Sequence, residues 1–339
     1  MHHVQLLSGK QFQAEPGERL VDAAARQAIV LPYSCRTGRC STCKCQVVSG
    51  QTEAVAEETG LSAAERDDGW VLACVRTALS DLTLDAADLG DLRLPEARTT
   101  PCRIQSLERL APDVLEVRLR LPPTCAFDYL PGQSIDVIGH GGLRRAYSIA
   151  SAPQADKGLT LHIRRVEGGQ LSHYWFERAQ VNDLLRLHGP LGTFCLGDVA
   201  GQALVCLATG TGMAPIKAML EGLALRPAEA QPRSLHLYWG GRQPQDLYWS
   251  PSALPVPHHH VPVLSRADAT WTGRRGWITD ALLADGPELS SGTQVYACGS
   301  EAMIRSARER LLALGLPPRH FHSDAFVASS ATPSTGPSP

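Results

Sequence analysis

The chain has 339 residues, 43% hydrophobic and 19% charged, with a net charge of −2; its length exceeds one ordinary core and predicts three domains, and its charge balance leaves no basic footprint for nucleic acid or an anionic membrane surface. No apolar run reaches membrane-helix length, and the opening MHHVQLLSGKQFQ lacks the charged and apolar regions of an export signal, so a cytoplasmic protein is expected. There its ten cysteines are thiols available for chemistry rather than a disulfide framework.

Residues 1–90 predict a small mixed domain, with alternating apolar positions and then a helix over Glu18–Ala28 that puts Leu20, Ala24 and Ala28 on one face. Cys35, Cys40 and Cys43 follow at C-x4-C-x2-C spacing, with Cys74 further on. This is the ligand pattern of a plant-type 2Fe-2S cluster, which needs four thiolates around two irons. The small residues Gly38, Ser41 and Thr42 let the loop wrap closely and offer N–H groups to sulfur. A four-cysteine zinc site is the alternative, but zinc modules usually use two short C-x2-4-C pairs. Cys45 reads as a buried strand thiol.

CRTGRCSTC, Cys74 and SDLTL resemble plant-type ferredoxin domains. The resemblance implies a β-grasp fold with the cluster near the surface. Arg36, Arg39 and Lys44 beside the thiolates are read as solvated loop charge, with guidance of an acidic partner as the other reading.

Gly90, Pro95 and Pro101 predict a linker over 91–101. From 102 to 197, short strand-like runs (VLEVRLRL, SIDVI, LTLHIRRV, DLLRLHG) predict a small antiparallel barrel. Within it Arg145, Tyr147 and Ser148 in RRAYSIAS place a cation, an aromatic face and a hydroxyl on one strand, as a flavin dinucleotide requires.

RRAYSIAS after YLPGQ, the Gly-rich HIRRVEGGQLS and HGPLGTF resemble the ferredoxin-NADP reductase superfamily over residues 102–328. The resemblance implies that Arg145 and Ser172 hold FAD phosphate, that Tyr147 stacks on the flavin and that Ser148 lies near N5. It also implies that backbone groups of His162, Ile163, Arg164, Gln170 and Leu171 line the rest of the FAD.

Residues 201–328 alternate strand and helix, predicting a Rossmann-like parallel α/β domain, so the whole is a multidomain α+β and α/β chain. ALVCLATGTGMAP runs from strand through Gly210 and Gly212 into a helix start where Pro215 fits, a geometry suited to pyrophosphate. A second strand, YACGSEAM, ends at Cys298 and Gly299. The same resemblance puts Thr211 near the nicotinamide and has Cys298 orient its ring, with an inert buried thiol as the alternative; Thr209 stands where the family has a first glycine. Asp246 beside Arg242 would repel a 2′-phosphate, which favours NADH over NADPH. In FHSDAF, Asp324 and Phe326 occupy the places of an acidic residue and a flavin-covering aromatic, although Phe326 is also readable as core. The tail at 329–339, built of Ser, Ala, Thr, Pro and Gly, is expected to be disordered.

These parts imply an NAD(P)H-dependent oxidoreductase: hydride passes from NADH to FAD beneath Ser148, then single electrons pass through the Cys35/Cys40/Cys43/Cys74 cluster to a protein acceptor. The layout resembles oxygenase reductase components and the CDP-6-deoxy-3,4-glucoseen reductases, so a dehydratase or an oxygenase component is the expected partner. HLYWGGR, DLYW and HSDAF lean toward the second group. A non-enzymatic redox sensor and a zinc-stabilised diaphorase are the rival readings.

Overall fold

The alternation in the first segment becomes strand β1 (His2–Leu6), which buries Val4 and Leu6, and β2 (Gln11–Ala14), which buries Phe12 and Ala14. The computed structural model describes residues 1–90, 92–254, 257–287 and 289–326; the tail at 329–339 lies outside them. Helix α1 (Leu20–Arg26) is shorter than predicted at both ends. Leu20 and Ala24 are buried on its inner face, but Ala28 has left-handed backbone (φ +60°), which turns the chain out of the helix and leaves it exposed. Burying a side chain such as Leu20 is worth roughly 2 kcal/mol.

The domain continues through β3 (Lys44–Ser49), β4 (Thr52–Ala54), α2 (Ala63–Asp67), β5 (Trp70–Leu72), β6 (Arg76–Ala78) and β7 (Leu82–Asp85). Its sheet runs β2-β1-β7-β3-β5 with β1 and β7 parallel, a β-grasp arrangement whose core takes in α1. Strands β4 and β6 form a separate ribbon.

The second sheet is antiparallel: β8 (Arg98–Ala111), β9 (Val114–Arg120), β10 (Ser134–Ile138), β11 (Arg144–Ser148), β12 (Leu159–Arg164) and β13 (Leu184–Leu191), in the order β11-β10-β13-β8-β9-β12. A bridge from Ile149 to Leu161 brings its two edges together. The predicted linker is shorter than 91–101, because Arg98 to Pro101 already pair with β13 and Thr100 is buried. Helix α3 (Gln170–His173) lies between β12 and β13.

The third sheet is parallel, from β14 (Ala203–Thr209), β15 (Ser234–Gly241), β16 (His259–Leu264), β17 (Arg274–Arg275), β18 (Thr293–Ser300) and β19 (Phe321–Phe326), ordered β17-β16-β15-β14-β18-β19. Helices α4 (Met213–Ala224), α5 (Ile278–Ala284) and α6 (Glu301–Ala313) pack against it, and apolar cores cover both faces. Strand order reverses between β14 and β18, where open α/β sheets place ligands beyond the strands' carboxyl ends.

Candidate functional site

The four thiols of the C-x4-C-x2-C motif and Cys74 converge. Cys35 hydrogen-bonds to Cys40 and to Cys74, and Cys74 to Cys43. Cys40, Cys43 and Cys74 are buried and Cys35 is half-buried. The contacts link the thiols in one chain, Cys40–Cys35–Cys74–Cys43, which gathers the four thiolates that a 2Fe-2S cluster needs. Backbone N–H groups face the sulfurs: Cys35 N–H lies 3.5 Å from Cys40 Sγ, and Thr37 N–H lies 3.4 Å from Cys35 Sγ. Gly38 donates to Cys74. Cys45 stays apart on β3, fully buried, its thiol pushed up to about 12 mainly by burial.

The thiol loop lies near the surface, with Thr37 exposed and Cys35 half-buried, and one side of it packs against the nicotinamide domain. Cys40 joins the apolar core on one face of the parallel sheet, and Cys35 packs against it. Arg36 pairs with Asp22 and lies 5.3 Å from the Tyr33 ring; Lys44 pairs with Glu65 and lies 4.5 Å from the Trp70 ring. These two cations are thus engaged within their own domain rather than left as solvated charge.

In the barrel, Arg145, Tyr147 and Ser148 share β11. Arg145 is half-buried, and its guanidinium has no carboxylate within ion-pair distance among the described residues; its hydrogen bond goes to the Arg144 carbonyl at 2.7 Å. An unneutralised cation beside a tyrosine fits an anionic pyrophosphate. Tyr147 Oη accepts from Trp175 Nε1 at 3.0 Å, which fixes the ring, and burial pushes the hydroxyl up to about 12. Ser148 is 9% exposed at the strand end. Ser172 Oγ accepts from the Val166 N–H at 2.8 Å, closing the Gly-rich segment in which Gln170 and Leu171 open α3. A cavity of about 460 Å³ adjoins it, lined by Gln170, Leu171, Tyr174, Arg178 and Asp183 among others.

His162, Ile163 and Arg164 end β12 with side chains committed elsewhere than to a pocket. Ile163 is core; His162 is buried, with Nδ1 3.2 Å from Tyr248 Oη and Nε2 3.4 Å from Glu116, and burial holds its pKa below the usual value. Arg164 Nε donates to Asp113 at 2.8 Å, and its guanidinium reaches Asp246 at 3.5 Å.

At the switch point, Gly210–Gly212 form a 3-10 turn that runs directly into α4. Thr211 is buried. Gly212 and Gly299 are required by close approach: a Cβ on Gly212 would lie 2.3 Å from the Cys298 carbonyl oxygen, and one on Gly299 (φ +137°) 2.1 Å from Thr209 Oγ1. Thr209 itself accepts the Ser300 N–H at 3.0 Å, knitting the ends of β14 and β18. Cys298 is fully buried and its thiol is pushed well up by burial, so it is neutral and no nucleophile. Asp324 pairs in register with Cys298 and is buried, which pushes its carboxyl up to about 6. Phe326 is 39% exposed at the end of β19, so it is not a core residue.

Sequence reasoning missed the groups that join these parts, Asp113, Tyr248, Thr193 and Ser34. Thr193 lies in HGPLGTF and Tyr248 in DLYW, but neither segment's pattern marks which residue reaches across a domain boundary.

Three family models match in chain order. The "2Fe-2S iron-sulfur cluster binding domain" covers residues 5–79, the "Oxidoreductase FAD-binding domain" 101–195 and the "Oxidoreductase NAD-binding domain" 206–309. A CDP-6-deoxy-L-threo-D-glycero-4-hexulose-3-dehydrase reductase of Yersinia pestis is 40% identical over 329 residues, 95% of this chain and 97% of its own. A naphthalene 1,2-dioxygenase/salicylate 5-hydroxylase reductase component of a Ralstonia species is 32% identical over 94% of this chain and 96% of its own. The solved structure of the Amycolatopsis cytochrome P450 reductase GcoB superposes with a TM-score of 0.74 at 32% identity, over 97% of this chain and 100% of that one.

Proposed function

The chain belongs to the family of NAD(P)H-linked electron-transfer reductases that join a 2Fe-2S domain to FAD- and NAD-binding domains, and from that premise we propose that it takes its electrons from NADH and delivers them to a dehydratase acting on a nucleotide-linked deoxyhexulose. The single observation that carries this choice of acceptor is the 40% identity to the hexulose-3-dehydrase reductase, against 32% to the naphthalene dioxygenase reductase. An oxygenase component is the second reading, favoured by the P450 reductase superposition. A cytoplasmic setting belongs to the proposal, supported by the use of free thiols.

When bound, the flavin takes up both electrons of a hydride and the cluster releases them singly. The balance is one NAD(P)H and two oxidised one-electron acceptors giving NAD(P)+, one proton and two reduced acceptors. Cys35, Cys40, Cys43 and Cys74 would hold the cluster. Arg145 and Ser172 would hold the FAD phosphates, with Tyr147 against the ring, Ser148 near N5, and backbone of His162, Ile163, Arg164, Gln170 and Leu171 lining the remainder. Gly210, Thr211, Gly212 and Gly299 would seat the nicotinamide nucleotide, Cys298 would position its ring as a neutral thiol, and Phe326 would cover the flavin.

For NADH, the support is that Arg242 is already matched. Asp246 accepts its N–H at 2.7 Å and lies 3.5 Å from its Nε, and Asp113 lies 3.7 Å from its guanidinium. A cation facing two carboxylates offers little to a 2′-phosphate.

An anaerobic NADH titration of the FAD- and cluster-loaded protein tests the route: flavin bleaching followed by the reduced-cluster EPR signal is expected, and bleaching without that signal defeats it. Purified dehydratase and oxygenase partners then test the acceptor, with saturable transfer to the dehydratase alone expected; saturation by the oxygenase alone reverses the assignment.

A further inference from the structure

Ser34, immediately before Cys35, donates its hydroxyl to Asp324 Oδ1 across 290 positions of sequence and a domain boundary. Asp324 is 8% exposed, and Ser34 is its one side-chain hydrogen-bond partner among the described residues. A buried carboxylate is costly unless it is bonded, so the geometry that satisfies it is held firmly. Its strand neighbour in register is Cys298, at the mouth of the switch point. The same loop meets the same strand again where Thr42 Oγ1 donates to the Ser323 carbonyl at 3.3 Å. On the barrel side, the Tyr33 N–H donates to Thr193 Oγ1 at 2.9 Å and the Thr193 N–H to the Tyr33 carbonyl at 3.0 Å. Every one of these contacts lies within two residues of Cys35 or next to Cys43, and none is an ion pair.

We propose that the Ser34–Asp324 hydrogen bond is a positioning contact: it seats the thiol loop on the last strand of the nicotinamide domain and so sets the separation over which electrons pass from flavin to cluster. The inference rests on the electron route proposed above and leaves its balance unchanged. Ser34 acts through the loop it anchors. A loop freed at this point keeps its thiols but loses its fixed place, and small misplacements of paired reaction partners cost one to two orders of magnitude in rate.

The test compares wild type, Ser34→Ala and Ser34→Thr as fully loaded proteins. Anaerobic stopped flow with NADH follows flavin bleaching and cluster reduction separately, while deuterium exchange of amides 33–43 is read on the same preparations. Expected in S34A are bleaching within about twofold of wild type, cluster reduction slowed about tenfold and faster exchange in 33–43, with S34T restoring all three. Thr42→Val, which removes the second bond to the same strand, gives the same split at smaller size and serves if S34A loses iron. Cluster reduction at the wild-type rate in S34A overturns the proposal, as does a slowing of bleaching in equal proportion. Wild-type protein that bleaches its flavin but never reduces its cluster overturns the electron route, and this proposal with it.

Discussion

Two seams join the three domains, and they are built from different chemistry. Between the barrel and the nicotinamide domain, charged side chains make many of the contacts, beside the neutral His162–Tyr248 pair. Arg164 of the barrel reaches Asp246, Arg242 of the nicotinamide domain faces Asp113, and Lys217 donates to the Ala150 carbonyl at 2.9 Å while Glu221 accepts the Ala152 N–H at 3.0 Å. Around the thiol loop the seam is uncharged hydroxyls, backbone and apolar packing, with one buried carboxylate. Half-exposed ion pairs are weak, screened by salt and readily rearranged. That suits a cleft that must admit and release a nucleotide. Buried hydrogen bonds and packed thiols hold one geometry, as a fixed electron path requires.

Breaking the thiol loop has the largest expected effect. Cys43→Ser should lose iron and acid-labile sulfide and abolish delivery to a one-electron protein acceptor, while NADH oxidation by an artificial two-electron acceptor continues. Assaying both activities on one preparation checks whether the two regions are separable, and loss of both would show that they are not.

Acid should weaken the nicotinamide domain that carries the uncharged seam through His322, which lies on β19 beside Ser323. Its ring stacks on Tyr296 at 4.5 Å and its Nε2 lies 2.9 Å from Gln294 Oε1. Burial, with a smaller push from His320, lowers its pKa from the usual value to about 4. The folded pKa lies below the unfolded one, so the unfolded chain binds the proton first. The contribution is therefore complete above about pH 6.5, is lost as pH falls toward 4, and amounts to ~2 kcal/mol between pH 7 and pH 5. Urea unfolding at those two pH values should show that loss in wild type and not in His322→Gln.

On the charged seam, Asp246→Asn removes one of the carboxylates that face Arg242. The ratio of kcat/KM for NADPH over NADH should rise about fivefold, on the order of 1 kcal/mol for an exposed pair. Steady-state kinetics with both nucleotides decides it, and an unchanged ratio would place the 2′ position elsewhere.

The smallest effect is the response to salt alone. From about 0.1 M to 1 M the screening length falls from about 10 Å to 3 Å. Deuterium exchange should quicken at residues 242–246 and stay constant at 33–43. Equal quickening at both would erase the contrast between the seams.

Much of this was legible in the chain. Strand alternation, the cysteine spacing and the R-x-Y-S and Gly-rich segments are local signals, because period-2 burial, loop ligation and tight turns constrain neighbouring residues. Even so, Ala28 left its helix, since periodicity cannot register one left-handed residue. The packing of Cys40 and Cys35 against the parallel sheet was not legible either, because a single domain read in isolation does not know what it meets. The residues that converge there are far apart in sequence, Tyr33 and Thr193 by 160 positions and Ser34 and Asp324 by 290.

The sequence by itself therefore determined the three folding units, the thiol quartet's membership and the reductase family, since each is written in short-range pattern. Only the tertiary structure decided that the thiol loop packs one side against the parallel sheet, that Arg242 is matched by two carboxylates and that Ser34 meets Asp324. Those contacts arise when separately folded surfaces are brought together, and a hydroxyl or a carboxylate on such a surface has no local spacing to mark its partner.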